Sequence, residues 1–107
     1  MTDEYLLVLA TCPGHGMAAE IATAVIEQRL AACVNSIGGL RSWFRWQGRL
    51  EQDEEVMLLI KTTRARFAEL EAAIRSLHPA EVPEIIAIPI QAGSAAYLGW
   101  LSENTTP

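Results

Sequence analysis

Cys12 and His15 stand three positions apart in the segment Thr11-Cys12-Pro13-Gly14-His15-Gly16. A thiol and an imidazole that close together support two chemistries. One is nucleophilic catalysis, with Cys12 attacking, His15 as base, and the backbone donors of a following helix N-terminus favouring the thiolate. No carboxylate is evidently placed to orient the imidazole, and the loop after Thr11 carries no arginine to hold a phosphate. Catalysis is therefore not expected. The other chemistry is metal binding, for which thiolate and imidazole favour copper in either oxidation state, and zinc, over magnesium or calcium. The competing reading makes Cys12 a small buried hydrophobe and His15 a loop residue near a helix start. Cys33, which follows Ala31-Ala32, reads as a core residue rather than a ligand.

The elements that must position these groups follow from periodicity. Tyr5 to Thr11 is an apolar run without helical period, closed by Pro13-Gly14 and Gly16, and reads as a buried strand. From Met17 onward Ala18, Ile21, Ala22, Val25, Ile26 and Leu30 recur at three and four, the pattern of a helix with one face on a sheet. Val34 to Trp46 and Arg49 to Thr62 are extended arms joined by Gln47-Gly48, and Gly38-Gly39 predicts a bulge in the first arm. That turn places Arg41 opposite Glu54 and Arg45 opposite Leu50. Thr63 suits a helix cap before Phe67, Leu70, Ile74 and Leu77, and His78-Pro79 ends that helix. Glu84 to Gln91 is a fourth strand, put at a sheet edge by Pro89, and Ser94 caps a short last helix.

The order β-α-β-β-α-β plus a short helix is the α+β, ferredoxin-like split βαβ arrangement in one domain, residues 1–107. In that topology the fourth strand pairs antiparallel with the first. The loop ending in His78 then lies beside the end of the first strand, and three donors, Cys12, His15 and His78, can gather there. Otherwise His78 is only the residue that Pro79 sets at a helix end.

Charge and length narrow the partners. Eight Lys and Arg against 13 Asp and Glu give a net charge of −5, a surface that repels phosphate backbones. No nucleic-acid partner is expected. Half of the 107 residues are apolar, enough for one packed core. No basic segment precedes the short run Tyr5 to Ala10, and no run approaches the roughly 18 apolar residues of a membrane span. Two cysteines make no disulfide framework. A cytoplasmic protein with no membrane partner is the expectation.

The two arms are too long for one subunit. About 13 residues each, at roughly 3.3 Å per residue, make a ribbon of about 40 Å. Two helices cannot cover that length, yet the distal half carries Trp43, Phe44 and Trp46. Aromatic side chains on an isolated ribbon point to an interface. The alternative is a solvated, charged hairpin with incidental tryptophans.

Five blocks occur in order along nearly the whole chain: Leu30-Ala31-Ala32-Cys33-Val34-Asn35, Trp46-Gln47-Gly48-Arg49-Leu50-Glu51, Leu59-Ile60-Lys61-Thr62, His78-Pro79-Ala80-Glu81-Val82-Pro83-Glu84-Ile85-Ile86 and Tyr97-Leu98-Gly99-Trp100-Leu101. In these the chain resembles the CutA divalent-ion tolerance family. The resemblance implies a homotrimer whose hairpins wrap around neighbours, an architecture similar to the PII signalling proteins, a role in tolerance of divalent metals, copper binding, and no settled catalysis. It implies a copper site of a Cys at the end of the first strand and one or two His before the last. Here Ala10 stands at the matching Cys position, with Cys12 two residues on and on the same strand face. Leu77 replaces the first His, and His78 matches the second. The resemblance also makes an intersubunit cleft for a small ligand the alternative function. Trp46, Glu51, Lys61 and Tyr97 supply its aromatic, acidic and basic groups; equally, Glu51 and Lys61 can simply pair across the interface.

Overall fold

In the computed structural model the described residues are 4–107; Met1–Asp3, on which part of the N-terminal reading rests, lie outside them. The order is β1 (Tyr5–Cys12), α1 (His15–Glu27), β2 (Cys33–Trp46), β3 (Arg49–Thr63), α2 (Arg64–Leu77), β4 (Ile85–Pro89) and α3 (Ala95–Glu103). One four-stranded antiparallel sheet runs β2-β3-β1-β4. This is the expected ferredoxin-like arrangement, with β4 at an edge, where Pro89 removes no inter-strand bond that a central strand would need.

The hairpin register is set by its turn. Gln47 and Gly48 both take positive φ, 53° and 78°, the conformation a two-residue hairpin turn requires. Arg41 duly faces Glu54 and Arg45 faces Leu50, and the ladder shifts between Ile37 and Leu40 at Gly38-Gly39. The arms reach well past the helices and stretch the molecule to 44 Å along its longest axis.

Alternation along the strands sorts side chains between two faces. Leu6, Val8, Ala10 and Cys12 of β1 meet Val56, Leu58 and Ile60 of β3 under Ile21, Val25, Leu70 and Ile74 of the helices, and all are buried. The opposite, open face carries Leu7 and Leu9 of β1, Met57, Leu59 and Lys61 of β3, and Ile86 and Ile88 of β4. It is only partly shielded; Ile86 and Ile88 are about half exposed. α3 closes one end, with Leu101 buried and the Tyr5 hydroxyl 2.9 Å from that of Ser102.

Several details depart from expectation. α1 begins at His15 rather than Met17, since Gly14 serves as N-cap without any side-chain bond, and it stops at Glu27, where Arg29 turns to φ 58°. Arg29 then bonds the carbonyls of Glu103 and Thr106. Thr63 occupies the N-cap of α2 but its hydroxyl makes no cap bond, whereas Ser94 accepts from the Tyr97 N–H at 3.2 Å. β4 is shorter than Glu84–Gln91 at both ends. Cys33 is not a core residue: it opens β2 on the open face, partly exposed.

Candidate functional site

The topology delivers His78 to the end of β1, as expected. His78 ends α2, and Pro79 bars a further turn. Its ring has two backbone partners: the Thr11 carbonyl 2.7 Å from Nε2, and the Ala80 N–H 3.0 Å from Nδ1. A carbonyl only accepts and an N–H only donates, so Nε2 carries the proton and Nδ1 is bare. The neutral imidazole therefore acts as a clasp between β1 and the segment that leads into β4.

Cys12 and His15 belong to the same end of the sheet but turn elsewhere. Cys12 is fully buried on the helix side, with its thiol 3.8 Å from the Val56 carbonyl and 3.9 Å from that of Gly14. Burial pushes the thiol up; the contact with Gly14 pulls it down by less, and Glu55 adds a small upward push. That protonated thiol is a packing group, not a ready nucleophile or ligand. His15 is exposed at the start of α1, its ring lying over Gly38 of the bulge. Among the described residues no three His, Cys, Asp or Glu side chains converge as a metal-holding group. A buried protonated thiol, an imidazole with both nitrogens bonded and an exposed imidazole do not fit a copper ion as they are placed.

The four cleft residues separate into two places. Trp46 and Glu51 line a groove of about 940 Å³ between the distal arm and the segment after His78. Glu51, Asp53 and Glu55, at every second position of β3, form one wall, and Glu81 and Glu84 the other, with Trp43 and Phe44 also lining it. The alternation of carboxylates along β3 was the available signal for this groove; the role of Glu81 and Glu84 had none, because it depends on where a loop lands. Lys61 and Tyr97 lie at the opposite end of β3. Lys61 faces Cys33 across the ladder, and its ammonium donates to the Asn35 side-chain carbonyl. The Cys33 thiol approaches the same oxygen, at 3.9 Å. Tyr97, tilted 38° against Trp100 with ring centroids 5.5 Å apart, has its phenol raised by burial first and then by the charge of, and hydrogen bond to, Cys33. Asn35 was missed from sequence, although it stands two residues beyond Cys33 on the same strand face.

The comparisons with known proteins agree with this fold. A family model described as CutA1 divalent ion tolerance protein matches residues 6–104. The chain is 50% identical over 99 residues to the divalent-cation tolerance protein CutA of Thermus thermophilus, covering 92% of this chain and 96% of that one. It is 46% identical over 95 residues to Protein CutA of Mus musculus, covering 89% of this chain but only 54% of the mouse protein. Among solved structures, the divalent cation tolerance protein of Thermus thermophilus superposes with a TM-score of 0.93 at 49% identity, over 95% of this chain and 99% of that one. CutA1 of a psychrotrophic Shewanella species superposes at 0.95 with 37% identity, over 100% of both. A sheet, arm and terminal helix shared at that identity over nearly the full length place the chain in the CutA1 divalent ion tolerance family.

Proposed function

We propose that the chain serves divalent-cation tolerance as a non-catalytic homotrimer in the cytoplasm, each subunit holding a neighbour through the β2–β3 arm. The metal role is supported by the relatives, which are named for divalent-cation tolerance. The assembly is supported by one observation: the arm and the open sheet face leave large apolar groups in solvent, with Trp43 61% and Leu50 77% exposed beside Ile37, Ile86 and Ile88. Two unpaired thiols suit a reducing compartment. No helix of the described residues is long and apolar enough to cross a membrane. Copper is the metal that Cys12, His15 and His78 would select by donor type. Holding it would require His78 to release Thr11 or Ala80 and Cys12 to leave the core, since the three donors do not converge as placed. A native mass spectrum with and without copper, run beside His78→Ala, tests both parts. Three subunits with His78-dependent copper support the metal-handling trimer. Three subunits without it keep the assembly and remove copper from the site, and a monomer removes the arm exchange.

A second reading is a trimer that binds a small ligand between subunits. The separation within one chain favours it: Trp46 and Glu51 lie at one end of β3 and Lys61 and Tyr97 at the other, so only a neighbouring arm can join the two pairs. Ligand binding lost in both Glu51→Gln and Lys61→Met, and insensitive to His78→Ala, is the expected result for this reading.

A further inference from the structure

The groove between the distal arm and the segment after His78 is an aromatic-lined cavity of one charge sign. Trp43, Phe44 and Trp46 line it, and among the described residues its lining includes no lysine or arginine. Glu51, Asp53 and Glu55 stand on one wall, Glu81 and Glu84 on the other. Among the described residues none of these five carboxylates forms an ion pair. In the proposed trimer the groove opens onto a neighbour. That neighbour's Lys61, from the one lysine position of the chain, sets a single positive charge against five negative. The groove therefore repels anions and favours a cation.

The placement of the charges decides which kind of cation. Glu51, Asp53 and Glu55 alternate along β3, so they follow one another at about 6.6 Å, twice the rise of a strand. They make a row rather than a cage, and no three His, Cys, Asp or Glu of the described residues converge on one point. A hard metal ion, which needs several oxygens around it at once, is poorly served by a row. A chain of ammonium groups meets the carboxylates one after another. The aromatic rings suit the same chain, since their faces attract ammonium groups and cover the methylenes between them. His78 also lines the groove, but backbone groups occupy both its ring nitrogens.

We propose that this groove binds linear aliphatic polyamines. The site does not rest on the second reading above, because both of its walls belong to one chain and Lys61 has no part in holding the ligand. Calorimetric titration of the full chain in its native assembly tests it, with spermine as the probe and magnesium ion at matched ionic strength as the competitor. Saturable spermine binding that magnesium does not displace is expected. Asp53→Asn and Glu84→Gln, one on each wall, should each weaken it about threefold, within the range of one exposed charge pair. Trp43→Ala should weaken it about threefold or more through the lost ring face. Glu20→Gln removes the same charge from α1, outside the groove, and should leave binding unchanged. Lys61→Met, which abolishes ligand binding under the second reading, should leave spermine bound at least as tightly, so the two readings fail separately. No saturable binding, full displacement by magnesium, or a loss in Glu20→Gln equal to that in Asp53→Asn overturns the proposal. Sedimentation of each variant in the same buffer tells a lost ligand from a lost trimer.

Discussion

The Nε2 of His78 lies 2.7 Å from the carbonyl oxygen of Thr11, while Nδ1 takes the N–H of Ala80. One side chain thus satisfies two backbone groups where α2 hands over to the segment before β4. Removing it leaves the Thr11 carbonyl and the Ala80 N–H to find water or remain unpaired. His78→Ala is expected to cost about 1–3 kcal/mol, the range for orphaned polar groups that are partly buried. Urea unfolding reads the loss, and faster amide exchange confined to residues 78–84 locates it. Unchanged stability and exchange would mean that the clasp contributes nothing.

Gly38 carries the His15 ring. A Cβ at position 38 would come within 2.7 Å of Cε1 and 2.8 Å of Nε2 of His15, closer than carbon atoms tolerate. Gly38→Ala should therefore push that ring aside at small cost, about 0.5 kcal/mol, since the atoms are the far end of one exposed side chain. The double variant with His15→Ala should recover most of that loss, because the clash is with one exposed side chain. A double-mutant cycle checks this, and additive effects would refute the contact.

These two contacts show what the sequence carries and what it withholds. The arm was legible to single-residue register because period-two alternation and one glycine at the turn leave few ladders to choose among: Arg41 meets Glu54 and the bulge falls at Gly38-Gly39. The approach of His78 to β1 was legible too, since β4 must pair antiparallel with β1. The partners of its ring were not. Thr11 and Ala80 contribute backbone groups, which every residue has, so no residue type announces them. The start of α1 was missed for a similar reason: Gly14 caps it without a side chain to read. Cys33 was misplaced because two alanines before it suggest packing, whereas strand parity puts it on the open face with Lys61.

The buried thiol predicts a loss of stability on the alkaline side. Burial raises Cys12 above an unfolded value of about 8.5. Below that pH the thiol is protonated in both states and the full stability is present. Above it the unfolded chain releases the proton first, so stability falls, by up to about 1.4 kcal/mol per pH unit until the folded thiol also ionises. The pH dependence of urea unfolding from about 7.5 to about 10, spanning that unfolded value, should show the decline, and Cys12→Ala should flatten it. A slope that survives the substitution would assign it elsewhere.

Glu51 and Lys61 share β3 but stand ten residues apart, about 33 Å at the rise of an extended strand. In the proposed trimer a neighbour's arm brings such groups together, and the aromatic rings of the distal arm are its expected anchor. Trp46 is more than a third exposed in the single chain, next to Trp43 and Phe44. Trp46→Ala is expected to weaken the trimer by about 2 kcal/mol or more per contact, as loss of a central aromatic anchor does. The same change should also cost the dissociated subunit some stability, since Trp46 is only 38% exposed there, so the two losses are measured separately. Mass photometry or sedimentation across a micromolar dilution series separates the two effects. Assembly indistinguishable from the parent chain at every concentration would show that the tryptophan is an incidental surface group and that the subunits meet through the open sheet face alone.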